Sequence, residues 1–157
     1  MSRDGRVMDT LLMLDIDGVM NTTDSCLRHR SGEVFAPEPV MALRWLVART
    51  GAHVVVTSTR RRAGLAAMRT LFDRNHLAGV AEKIIGLTPI LSGSDTDDWR
   101  EDEITTWLEA HGSDPARVVI LDDKPFTGSL ARRLVCTDAD YGLTFELARL
   151  AAAKLTL

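Results

Sequence analysis

Residues 11–19 read Leu-Leu-Met-Leu-Asp-Ile-Asp-Gly-Val, an apolar run that stops at two carboxylates one residue apart and then a glycine. A short apolar run bounded by a turn signal predicts a strand buried on both faces, which calls for helices packed on either side of a parallel sheet. In open sheets of that kind ligands bind outside the carboxyl ends of the strands. Asp15 and Asp17 therefore stand where a site would open. Residues i and i+2 of an extended chain point the same way, so both acids can serve one bound group if a cation offsets their repulsion. A divalent cation with oxygen ligands is the simplest candidate.

The rest of the chain alternates strand-like and helix-like stretches without internal repeats, which favours a parallel α/β sheet. Buried strands are expected at His53–Thr57, Val118–Leu121 and, shorter, Leu134–Cys136, with a further one within Ile84–Leu91, where Gly86 and Pro89 interrupt the pattern. Helical spacing runs over Pro39–Thr50, Ala63–Asn75, the segment holding Ile104, Trp107, Leu108 and His111, and the end of the chain through Leu143, Leu147 and Leu150. Trp45 and Trp107 fall on apolar helical faces and read as core. The polar stretch 21–39 is long for a plain connection, and residues 19–38 read as a flap loop. The fold expected is a three-layer, Rossmann-like α/β sheet with helices on both faces, residues 1–157 forming one domain.

A net charge of −3 gives no general attraction for a polyanion, though a local basic patch is compatible with it. The first residues lack the pattern of a secretory signal, and no apolar stretch approaches the roughly 20 residues that span a bilayer. The expectation is a cytoplasmic protein, with no membrane and no obligate protein partner. Cys26 and Cys136 have no zinc spacing and read as reduced thiols.

Three strands end in polar groups: Asp15 with Asp17, Thr57 with Ser58, and Asp122 with Asp123. In a parallel sheet these ends share one edge. Carboxylates there suit a magnesium ion, and hydroxyls with nearby arginines suit phosphoryl oxygens. No Gly-rich loop precedes a helix, which argues against the P-loop and dinucleotide-binding solutions.

In four parts and in order, these motifs resemble those of the haloacid dehalogenase (HAD) superfamily of phosphohydrolases. Asp15-Ile16-Asp17-Gly18-Val19 looks like the first motif, Val54 to Ser58 the second, Arg100 the third and Ile120-Leu121-Asp122-Asp123 the fourth. The resemblance implies that Asp15 is the nucleophile of an aspartyl-phosphate mechanism and Asp17 the general acid/base, while Ser58 and Arg100 hold the phosphoryl group. It also implies that Asp15, Asp17 through its carbonyl, Asp122 and Asp123 hold Mg2+. Such a role asks Asp17 to spend time protonated near neutral pH, which neighbouring carboxylates would favour. Lys83 is the rival occupant of the third motif. Thr57, Arg60 and Arg61, with Arg28 and Arg30 of the flap, are the further candidates for binding substrate.

Within the superfamily the Ser58-Thr59-Arg60-Arg61 run and Gly142-Leu143-Thr144 resemble the phosphatase modules of nucleic-acid repair proteins, including polynucleotide kinase-phosphatases. That likeness implies a DNA or RNA end as substrate. Two other readings stand beside it: a phosphatase of nucleotides or other small esters, and a non-catalytic module that keeps the fold and binds phosphate or metal. A phosphate-receiving signalling domain is disfavoured by the Asp-x-Asp-Gly at the first strand. No insertion between the motifs is large enough for a cap domain, so the site is expected to be open.

Overall fold

The computed structural model describes residues 10–91 and 99–156. Residues 1–9, within the single domain expected over 1–157, lie outside them, as do residues 92–98 and 157. Five strands form one all-parallel sheet: β1 (Leu11–Leu14), β2 (His53–Val56), β3 (Ile84–Leu87), β4 (Val118–Asp122) and β5 (Leu134–Cys136), in the order β3-β2-β1-β4-β5. The described helices are α1 (Thr23–His29), α2 (Pro37–Thr50), α3 (Leu65–Arg74), α4 (Ala78–Ala81), α5 (Arg100–Ala110) and α6 (Phe145–Thr156).

Alternation along the strands separates two cores. Leu12, Leu14, Val54, Val56, Val119 and Leu121 face α2, α3 and α6. Leu11, Met13, Val55, Val118 and Ile120 face Ile104, Trp107 and Leu108 of α5. Both faces are thus covered, as continuous apolar strands require. Trp107 is buried in the second core, and Trp45 packs against the first.

One element departs from expectation. The stretch 21–39 is not one loop: α1 lies inside it, begun by a capping box in which the Thr22 hydroxyl accepts from Ser25 N and the Ser25 hydroxyl accepts from Thr22 N. Such reciprocal bonds satisfy donors that a helix start leaves open. β3 falls within the expected Ile84–Leu91: it stops at Leu87, and its pairing with β2 shifts register at Gly86 before the chain reaches Pro89. Among the described residues no separate folded unit is inserted between the strands, so the domain has no cap. None of the described helices is long and apolar enough to cross a membrane.

Candidate active site

The strand register builds the site. Leu14 pairs with Val56 on one side and Leu121 on the other, and the next bonds run from Thr57 N to Leu14 O and from Asp15 N to Leu121 O. Thr57, Asp15 and Asp122 therefore stand level on three adjacent strand ends. By alternation their side chains take the α5 side of the sheet. That is where Arg100, the first residue of α5, meets them: its Nη1 donates to Asp122 Oδ2 at 2.7 Å and lies 3.3 Å from Asp15 Oδ1. All three charged groups are buried.

Asp15, Asp122 and Asp123 each bring a carboxylate oxygen within 4.8 Å of the others. Three hard oxygen donors at that spacing, two of them buried, fit a divalent cation. Gly18 makes the approach possible: it has φ +80, and a Cβ there would stand 2.3 Å from Asp123 Oδ2. The Thr137 hydroxyl fixes the same turn by donating to Gly18 O at 2.8 Å.

The Asp17 side chain is not in this cluster. It bonds Arg60 through Nε at 3.1 Å and Nη2 at 2.9 Å, and Asn21 Nδ2 at 2.9 Å. Asn21 is buried and closes this turn, since its Oδ1 accepts from Gly18 N and its Nδ2 also reaches Gly32 O. Sequence reasoning missed Asn21. Its signal was an amide four residues past an Asp at a glycine turn, a spacing at which such side chains bond back to the turn.

The acidity of Asp17 departs from the expectation, and that of Asp15 shifts the other way. Burial pushes Asp15 up to about 7; Arg100 opposes the rise and Asp122 adds to it. For Asp17 half-burial acts upward, but the bonds from Arg60 and Asn21 and the charge of Arg60 outweigh it and hold the carboxyl below its usual range. The proton expected on Asp17 near neutral pH is thus absent at rest, because a guanidinium, not another carboxylate, is its nearest charged neighbour.

Arg61 is turned inward. It is 4% exposed and donates to the carbonyls of Thr57, Ser58, Thr88 and Pro89 and, at 2.8 Å, to Glu103 Oε2. The ends of β2 and β3 leave carbonyls that this guanidinium satisfies, which draws it inward. Ser58 Oγ accepts from Arg60 N and shapes the short 3-10 turn Thr59–Ala63. The Thr57 hydroxyl is the one left over, buried and with no hydrogen-bond partner among the described residues. Arg28 pairs in solvent with Asp24, one helical turn away, and Arg30 is an exposed residue ending α1 at φ 51; no bond joins either to the acidic cluster. Lys83 precedes β3, at the amino edge of the sheet and so opposite the site, which leaves Arg100 as the cation of the cluster.

The family model that describes the HAD domain in Swiss Army Knife RNA repair proteins matches residues 11–148, which takes in every strand and the whole acidic cluster. The chain belongs to this family. No curated protein and no solved structure matched it. As a HAD domain it carries the Asp-x-Asp-Gly turn on the first strand and the acidic pair on the fourth, in the sheet positions where these carboxylates meet.

Proposed function

We propose that this HAD domain is a magnesium-dependent phosphomonoester hydrolase acting on the terminal phosphate of a nucleic acid. The observation that carries the reading is the convergence of Asp15, Asp122 and Asp123 around one point, with Arg100 beside them. Those three carboxylates and the Asp17 carbonyl would hold magnesium, whose positive charge would let an anionic nucleophile approach an anionic phosphoryl group.

Asp15 attacks phosphorus and forms an aspartyl-phosphate, so that one hard displacement becomes two easier ones. Arg100 steadies the phosphoryl oxygens, and the unpaired Thr57 hydroxyl donates to them, with Ser58 holding the turn beside it. Asp17 protonates the leaving oxygen, then takes a proton from the water that hydrolyses the intermediate. Its resting ionised form suits the second step. For the first, Arg60 shifts from Asp17 to the incoming phosphoryl group, which frees the carboxyl to carry a proton. The family's RNA repair proteins and the uncapped site both favour a large substrate such as a strand end.

The test is hydrolysis of a generic phosphomonoester and of 3′- and 5′-phosphorylated oligonucleotides, with and without magnesium, by the wild type and Asp15→Asn. Magnesium-dependent turnover that Asp15→Asn abolishes is expected. Undiminished turnover in the variant contradicts the reading.

A further inference from the structure

Two concavities adjoin on the surface beside the site. The first, of about 480 Å³, follows one stripe of α3 through Ala67, Thr70 and Arg74, with Arg60 at its head. Positions three and four apart share a helix face, and the alanine leaves that face open. The second, of about 690 Å³, is walled by Met41 and Arg44 of α2 and by Val34, His29 and His76. Glu33, Leu71 and Arg74 line both, so they form one groove. Its head is at the site, because Arg60 is the residue that bonds Asp17.

The groove's charge is opposite to that of the chain. Arg60, Arg74 and Arg44 line it with one carboxylate, Glu33, and Arg60 also pairs with Asp17 at the head, on a protein of net charge −3. Between these cations the walls are apolar, with Met41 55% and Val34 39% exposed. The loop that carries Val34 is fixed in advance: buried Asn75 accepts from Phe35 N and donates to Glu33 O, each at 2.8 Å. A lone phosphate at Asp15 has no use for cations strung along a groove, whereas a strand presents a phosphate at every step and apolar base faces between them.

We propose that this groove binds single-stranded RNA behind its terminal phosphate, an inference that rests on the phosphatase reading for the end it places at Asp15. The arginines track the backbone and the apolar walls take the bases. A duplex, whose bases stay stacked on one another, cannot use those walls.

The experiment measures fluorescence anisotropy of a labelled single-stranded RNA with hydroxyls at both ends, across a salt series. Arg44→Glu and Arg74→Glu, singly and together, are compared with Arg132→Glu plus Arg149→Glu, a matched charge change at exposed positions away from the groove. The groove pair is expected to weaken binding about tenfold or more and to flatten the salt slope by about 0.7 per arginine, with the control pair within about twofold of wild type. Wild-type binding by the groove variants, an equal loss in the control pair, or equal affinity for an acidic peptide of the same charge would overturn the proposal. The probe carries no terminal phosphate, so binding is read apart from hydrolysis. Turnover of a small ester without strand binding overturns the groove alone, and strand binding without any turnover overturns the phosphatase reading alone.

Discussion

Arg60 and Asp17, 43 residues apart in the chain, meet in a two-pronged ion pair at 3.1 and 2.9 Å. The pair fastens the turn after β2 to the turn after β1, and Gly32 lies against the same guanidinium so closely that a Cβ there would stand 2.1 Å from it. Asp17 has its pKa held below the usual carboxylate value, so its contribution to stability is present above the unfolded value near 3.8 and is lost as pH falls through the folded value. Arg60→Gln is expected to cost about 0.5–1 kcal/mol at pH 7, a small figure because the pair is half in solvent. The gap from wild type should close in strong acid. Urea midpoints across pH measure both.

Asp15 carries the opposite linkage. Its folded value is raised to about 7, so the stability tied to its protonated form is complete below about 3.8 and is lost as pH rises through 7. Metal-free protein is therefore expected to melt lower at pH 8 than at pH 5. Added magnesium should raise the melting temperature more at pH 8, where the carboxyl is ionised. Asp15→Asn should stabilise the metal-free protein at pH 8 by about 1–3 kcal/mol and abolish the magnesium effect. Calorimetric melts at the two pH values, with chelator and with magnesium, read this out.

Gly18 is the pivot between the two acidic turns. Gly18→Ala places a methyl group 2.3 Å from Asp123 Oδ2 on a backbone at φ +80. The variant is expected to lose about 1–3 kcal/mol of stability and to weaken magnesium binding, since Asp123 must swing away. Denaturation and metal titration of the same sample separate the two losses.

The acidic centre was legible in the sequence because two apolar runs each end in carboxylates, and parallel strands bring their carboxyl ends to one edge. Arg100 was legible as the cation at a helix start between those motifs. What the sequence hid is how neighbouring side chains divide their work. Arg60 and Arg61 are indistinguishable by composition, yet the 3-10 turn sends one to Asp17 and the other into the carbonyls at the ends of β2 and β3. α1 was hidden because seven residues started by a Thr22–Ser25 box give too short an apolar pattern to stand out from a loop. The hydroxyls of Thr57 and Ser58 differ only by which one the turn consumes.

Arg61 and Glu103 are a buried pair at 2.8 Å, and Glu103 also accepts from Leu91 N at 3.0 Å. Glu103→Gln leaves a buried guanidinium without its counter-charge and is expected to destabilise by about 3–5 kcal/mol. Replacing both with apolar residues, Arg61→Met with Glu103→Leu, should cost less than the sum of the single changes. A double-mutant cycle by chemical denaturation is the check.

The central claim is that carboxylates from two separated strand ends hold one cation. Manganese, a paramagnetic stand-in for magnesium, titrated into wild type, Asp122→Asn and Asp15→Asn and followed by electron paramagnetic resonance, tests it most directly. One site per chain, competed by magnesium and severely weakened in both variants, is the predicted result. Unchanged manganese binding in either variant would contradict it.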